Sequence, residues 1–207
     1  VIIATGAYAR QLEVENEKKY IGKGISYCAT CDGSLYKDKT IAIVGGGRTS
    51  IEDCFYLKDI VGQMYLIFRR EEFRADAKQV DELYELEKNS NGKFKILTNT
   101  VVTSISGQET LNGVTIKNNK TDQVQNLELD GLFVAVGRKP DTDIFAGQLQ
   151  LDKTGYIVAD EDTKTNLNGV FVAGDVRTKS LRQIITACSD GAISGTEAVK
   201  FLNETKE

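Results

Sequence analysis

Residues 40–54 read TIAIVGGGRTSIEDC. Thr40–Val44 is apolar after its first residue, the right length for a strand and too short for a helix. An unbroken apolar run of this kind fits a parallel strand buried on both faces. Gly45-Gly46-Gly47-Arg48-Thr49-Ser50 follows and fits G-x-G-x-x-small, and the pattern beyond it predicts a helix over about 48–61. Strand, glycine loop and helix in that order are the context a dinucleotide fingerprint requires. In such a loop Gly45 would allow the tight turn and Gly47 would let the backbone approach a pyrophosphate. Ser50 would fill the close-packing position where Gly or Ala is usual. The start of the helix, Arg48 and Thr49, would face the phosphates. On the motif alone, an ordinary Gly-rich turn stays open.

The next predicted strand, residues 64–68 (MYLIF), ends in Arg69-Arg70, and Arg74 follows one helical turn later. An NAD-specific domain would place an acidic residue about 20 positions after the glycines, for the ribose 2′-hydroxyl. Guanidinium groups bind phosphate bidentately, so this cluster suits a 2′-phosphate and predicts NADPH over NADH. Glu71 and Glu72 keep a merely solvated charge run possible.

Upstream lies ISYCATCDG, with Cys28 and Cys31 three residues apart. Residues i and i+3 on a helical turn sit about 5–6 Å apart at Cβ, within adjustment of disulfide geometry. If the turn opens a helix, its dipole would lower the thiolate pKa. Asp32 follows directly, a carboxylate placed to pass a proton. We read a redox dithiol, with two structural thiols as the alternative. Cys54 and Cys188 share helical faces with apolar residues (Ile51 and Phe55; Leu181, Ile184, Ile185 and Ala192) and are expected in the core.

Composition narrows the classes. The 207 residues are 41% hydrophobic and 27% charged, an ordinary globular balance. A formal net charge of −4 argues against nucleic-acid binding. No apolar run approaches the ~20 residues of a membrane span, and no signal peptide is visible. The absence of His removes Ser-His-Asp and Cys-His catalysis and any metal site needing imidazole, so no metal is expected.

Along the rest of the chain, residues 1–6 read as a strand, 7–25 as a connection and 76–89 as a charged helix. Residues 93–129 read as a meander of short strands, with hairpin turns expected at Asn112-Gly113 and Asn118–Asp122. LFVAV (132–136) and VFVA (170–173) are buried strands, each running into Gly, and an amphipathic helix is expected over about 181–202. The order is α/β with a parallel sheet. In such sheets ligands lie beyond the carboxyl ends of strands, so the repeated strand ends VIIATG, LFVAVG and VFVAGD suggest two cofactor pockets.

Taken together, ATGA (4–7), CATCDG (28–33), GGGRTSIED (45–53), RREEFR (69–74), GVFVAGDV (169–176) and RQIITACSDGA (182–192) resemble the low-molecular-weight bacterial thioredoxin reductases. The resemblance implies two Rossmann-like, three-layer nucleotide-binding domains (ββα/βαβ), one of them incomplete here. Residues 8–137 would be an NADPH domain carrying the dithiol, inserted into an FAD domain made of 1–7 and 138–207. It implies electron flow from NADPH through FAD and a Cys28–Cys31 disulfide to thioredoxin, in a cytoplasmic homodimer. Cys28 would attack thioredoxin, Cys31 would face the flavin, and Asp32 would exchange protons. Glu52 would lie near the nicotinamide. Gly174 and Asp175 would bind the flavin's ribityl side, and Arg182 and Gln183 its ring. A hinge is implied near 7–8 and 137–139.

The sequence departs from the family pattern at Phe68, where His is frequent, at Arg48, where a neutral or acidic residue is usual, and at Cys188, where a small residue is usual. No second glycine fingerprint is present, and the chain starts at Val1. We therefore expect a part of a longer protein that alone neither holds FAD nor turns over. The flavoprotein subunit of an alkyl hydroperoxide reductase shares these motifs. A non-catalytic NADPH-binding redox module and a two-cysteine zinc site are the readings from other classes.

Overall fold

The computed structural model describes residues 1–205; residues 206 and 207, the end of the second expected FAD-domain segment, lie outside the described residues. The chain divides into two compact units. One comprises Arg10–Gly137, the other Val1–Ala9 with the chain from Arg138 onward.

In the larger unit, Thr40–Val44 is the middle strand of a five-stranded sheet. It is flanked by Gly131–Val134 and Gln63–Ile67, with Ile25–Ser26 and Phe94–Leu97 outermost, and every pairing is parallel. Side chains alternate between faces in a strand, and here both faces are covered. Ile41 and Ile43 pack with Ile51, Cys54, Leu57 and Leu83 from the helices Arg48–Leu57 and Ala77–Asn89. Ala42 and Val44 pack with Val102, Ile105, Val114 and Leu127 from an antiparallel meander, Thr100–Gly107, Leu111–Asn118 and Val124–Glu128. The unit is a three-layer α/β fold whose central strand is fully enclosed, which accounts for its unbroken apolar run. Cys54 is wholly buried, as its face predicted, and burial, with Asp53 beside it, pushes its thiol well above the usual range.

Several expected boundaries shift. The connection over 7–25 contains the strand Ala7–Ala9, a turn of helix at Glu17–Tyr20 and the strand Ile25–Ser26. Phe94–Leu97 joins the parallel sheet rather than the meander. Asn112-Gly113 is not a turn. Both residues lie inside the strand Leu111–Asn118, and the preceding hairpin turns over residues 108–110. The glycine serves close approach instead, since a Cβ on Gly113 would stand 2.8 Å from the Leu127 carbonyl oxygen of the paired strand. The turn at 118–122 forms as expected, with Asn118 Oδ1 accepting the backbone N–H groups of Lys120 and Thr121.

The smaller unit pairs Ile2–Ile3 with Phe171–Val172 in parallel, so two of the three echoing strand ends lie side by side. Ala7–Ala9 pairs antiparallel with Arg138–Pro140. A small core of Ile3, Leu149, Ile157, Val172 and Val176 holds the unit together. The helix Ile184–Glu204 corrects one expectation: Cys188 is exposed, and so are Leu181, Ile184 and Ile185. The periodicity marks a real apolar face, but the helix is anchored through its opposite side by buried Asp190 and Ser194. No helix among the described residues is long and apolar enough to cross a membrane.

The strand placement of Gly113 predicts that Gly113→Ala lowers the unfolding free energy in urea by about 2 kcal/mol through the clash with Leu127. A loss below about 0.5 kcal/mol would show that the two strands have room for a side chain.

Candidate active site

The larger unit holds two of the expected features. Cys28 and Cys31 are joined in a disulfide, with Cα atoms 5.3 Å apart. Ile25–Ser26 delivers the chain from the sheet edge into a single helical turn, Ala29–Asp32, with Cys28 at its N-cap and Ala29 buried beneath it. The Cys28 carbonyl accepts the backbone N–H groups of Cys31 and Asp32 at 3.2 and 3.1 Å. Asp32 is fixed by Ser26, whose hydroxyl donates to Asp32 Oδ2 at 2.6 Å and accepts the Cys28 N–H at 3.1 Å. Cys28, Cys31 and Asp32 thus form one cluster. Buried Ser26 belongs to it as well, and nothing in its spacing announces that role.

The glycine loop opens onto a cavity of about 530 Å³ at the carboxyl end of the parallel sheet. A Cβ on Gly45 would meet the Ala135 carbonyl oxygen at 2.4 Å, so the loop must sit flush against the end of the neighbouring strand. Ser50 is fully buried under the loop and its hydroxyl donates to the Gly47 carbonyl at 2.7 Å, which suits its close-packing position. Gly47 is the opposite case. A Cβ there would meet nothing within 4 Å, and this open space lies at the N-terminus of Arg48–Leu57. A phosphate could approach the backbone closely there.

Arg69, Arg70 and Arg74 line the same cavity, together with Arg48 and Thr49. The RREEFR segment is tied to the loop by the Arg74 N–H, which donates to the Gly46 carbonyl at 2.8 Å. Among the described residues Arg69, Arg70 and Arg74 form no ion pair, whereas Glu71 is drawn away to Lys120 at 2.7 Å. Arg48 differs: its Nε lies 2.6 Å from Glu52 Oε1, an exposed pair one turn along the helix. Phe68 is buried, lies under Gly46 and stacks on Phe73 with centroids 4.1 Å apart.

Two further groups were not singled out from the sequence. Arg10 lines the cavity from the side of Gly137. Asp53, beside Glu52 on the loop's helix, has its carboxyl pushed up to about 6, by burial first and by the Glu52 charge second. Periodicity and motif matching carry no signal for either.

The smaller unit gathers the other four candidates. Gly174 takes φ +82°, a conformation that favours glycine. The next residue, Asp175, has a buried Oδ1 with no hydrogen-bond partner, while its Oδ2 lies 3.6 Å from Arg138. Arg182 lies over the Tyr156 ring at 3.9 Å and donates to the Asp175 and Arg177 carbonyls. Gln183 is the N-cap of Ile184–Glu204 and forms a reciprocal capping box with Thr186. Asp190 holds this corner in place. It accepts from the Gly174 N–H at 2.9 Å and pairs with Arg177 and Lys179 at 2.7 and 2.6 Å, all three side chains being nearly buried. Burial pushes its carboxyl up, but these hydrogen bonds outweigh it and hold the group down at about 2. An orphaned acceptor on Asp175, beside a glycine and a helix start, fits a ligand that brings its own hydroxyl donors, as a flavin's ribityl chain does. Among the described residues no group of three or more His, Cys, Asp or Glu side chains is gathered to hold a metal.

A family model described as pyridine nucleotide-disulphide oxidoreductase matches residues 1–191. The chain is 41% identical over 213 residues to a thioredoxin reductase of Coxiella burnetii, covering 100% of this chain and 66% of that protein. It is 40% identical to a thioredoxin reductase of Peptoclostridium acidaminophilum, with the same coverage of 100% and 66%. The crystal structure of thioredoxin reductase from Streptococcus pyogenes superposes with a TM-score of 0.90 at 37% identity, over 99% of this chain and 65% of that one. The chain therefore spans just under two thirds of the length of these relatives.

Two measurements check the electrostatics. Asp53 binds its proton more tightly folded than unfolded, so stability falls as pH rises from about 4 to the folded value near 6. Asp53→Asn should stabilise the chain at pH 8 by about 1–2 kcal/mol in denaturant melts, and that gain should vanish near pH 4. Asp190 has the opposite sign: its stabilisation is present above the unfolded pKa and is lost as pH falls through about 2. Asp190→Asn strands two buried cations and should cost about 3 kcal/mol at pH 7, seen as loss of protection of the Gly174 amide in hydrogen exchange.

Proposed function

Since the chain belongs to the pyridine nucleotide-disulphide oxidoreductase family, we propose that it carries the dithiol and NADPH sites of a flavin-dependent thioredoxin-reducing enzyme. The observation that carries this is the presence, in the unit Arg10–Gly137, of a Cys28–Cys31 disulfide together with a cavity over the glycine loop lined by Arg69, Arg70 and Arg74, which form no ion pair among the described residues. We assign Arg10–Gly137 as the NADPH domain and the rest as part of the FAD domain, in a cytoplasmic homodimer.

Gly45, Gly47, Thr49 and Ser50 would shape the pyrophosphate site. Arg69, Arg70 and Arg74 would take the 2′-phosphate, which makes NADPH the preferred nicotinamide. Arg48 would contribute only by leaving Glu52, whose carboxylate is assigned to the nicotinamide side. FAD would be held by Gly174, Asp175, Arg182 and Gln183, and when bound it supplies the two-electron relay between nicotinamide and disulfide. The disulfide takes up two electrons and two protons and opens to two thiols. Asp32, oriented by Ser26, holds or moves the proton at this dithiol. The Cys28 thiolate then attacks the thioredoxin disulfide, forming one S–S bond and releasing the other thioredoxin sulfur. The Cys31 thiolate attacks Cys28 in turn, restoring the Cys28–Cys31 disulfide and freeing thioredoxin as a dithiol.

The test uses the full-length protein. Its flavin absorbance should bleach with NADPH and poorly with NADH. Cys28→Ser and Cys31→Ser should keep the bleaching but lose NADPH-dependent thioredoxin reduction by about a thousandfold or more. Turnover surviving in Cys31→Ser, or equal bleaching by both nucleotides, would sink the assignment.

A further inference from the structure

We infer that Arg10 is a second, separate phosphate-binding cation in the nucleotide cavity, serving the nicotinamide-side phosphate of the pyrophosphate rather than the 2′-phosphate. This rests on the nicotinamide-nucleotide reading above. The two flanks of the glycine loop differ. Thr40–Val44, which feeds the loop, has Gln63–Ile67 on one side and Gly131–Val134 on the other. Arg69, Arg70 and Arg74 follow the first neighbour, and the Arg74 N–H ties them to Gly46. Arg10 belongs to the second flank. Its backbone N–H donates to the Gly137 carbonyl at 3.0 Å, and its side chain lines the cavity beside Val136 and Gly137. A dinucleotide laid across the start of Arg48–Leu57, with its 2′-phosphate on the three arginines, runs toward Arg10 at its other end.

Arg10 is held ready by an unusual device. Glu17 is only 2% exposed. Its carboxylate accepts the backbone N–H groups of Leu12 and Glu13 at 2.9 and 2.8 Å, and the Tyr27 hydroxyl at 3.0 Å. The segment that bears Arg10 is therefore pinned at Gly137 on one side and at Glu17 on the other. Among the described residues the exposed Arg10 has no ion-pair partner, although the chain has a surplus of acidic residues to offer. A cation kept unpaired on a fixed backbone at a cavity wall is available to an anion, and only its side-chain rotamers are left for the ligand to order.

The experiment measures binding to this chain directly, by calorimetry or equilibrium dialysis, with NADPH, NADH and adenosine 2′,5′-bisphosphate as probes. The last carries the 2′- and adenosine-side phosphates but lacks the nicotinamide-side one. Arg10→Gln should weaken NADPH and NADH by the same factor, about tenfold, leaving their ratio unchanged and the bisphosphate within about twofold. Arg10→Lys should recover part of the loss. Arg70→Gln is the contrast, weakening NADPH and the bisphosphate while sparing NADH. An Arg10→Gln chain with unaltered NADPH and NADH affinity overturns the assignment, as does one that loses NADPH and the bisphosphate but not NADH. If the unmodified chain binds none of the three, the nucleotide reading itself falls and Arg10 falls with it. A normal Arg70→Gln response with a silent Arg10→Gln sinks only the present inference.

Discussion

The contact of Gly45 with the Ala135 carbonyl governs the larger unit. Thr40–Val44 is enclosed by helices on one face and a meander on the other, so its register is set by two cores at once. A slip of one residue would exchange Ile41 and Ile43 with Ala42 and Val44, which differ in volume, and neither layer would then fill. With the strand locked, its end is locked too. The loop has no choice but to lie against Ala135, where no side chain fits. The N-terminus of Arg48–Leu57 then faces the space over Gly47 by construction.

The charges in that space follow from the same placement. Arg69 and Arg70 follow closely on the end of the strand Gln63–Ile67 and so emerge where the sheet stops. Glu71 would be the natural partner by proximity, yet it pairs with Lys120 on the turn of the meander. Lys120 thus takes up one of the two neighbouring carboxylates, while Glu72 lines the cavity beside the arginines and forms no ion pair among the described residues. Unpaired surface arginines cost little in water, where ion pairs are worth about 0–1 kcal/mol, so the fold loses almost nothing by leaving them open.

Much of this was legible in the residues. A strand buried on both faces leaves an unbroken apolar run, and a glycine loop followed by a helix leaves a spacing; both are local signals, and Gly45, Gly47, Ser50 and the dithiol turn are where they point. The failures share one cause. Asn112-Gly113 has the composition of a hairpin turn, but the partner strand needs a glycine two residues into Leu111–Asn118, and composition cannot say which need is met. Cys188 lies on an apolar helix face, and periodicity reveals a face without revealing whether anything covers it. Ser26 and Glu17 act through partners brought to them by folding, and Arg10 reaches the cavity wall only because its backbone is bonded to Gly137. Glu17 reaches Tyr27, Leu12 and Glu13 only because the chain doubles back at Glu17–Tyr20.

The smaller unit solves the opposite electrostatic problem. Where the arginines of the cavity are left open, Asp190 is doubly paired and nearly buried, and Gly174 N–H completes its shell. A buried carboxylate between two cations is a poor source of net stability, because desolvation consumes much of the attraction. Its value is directional. Arg177 and Gly174 lie on either side of Asp175, so fixing both leaves Asp175 little freedom to turn its buried Oδ1 toward water or toward another donor. The orphaned acceptor is thus a consequence of the network beside it, and an acceptor held in that state gains most when a ligand brings the missing donor. Among the described residues, Asp175 Oδ1 in the smaller unit has no hydrogen-bond partner and Arg69, Arg70 and Arg74 in the larger form no ion pair, so each unit leaves open a group assigned to a cofactor.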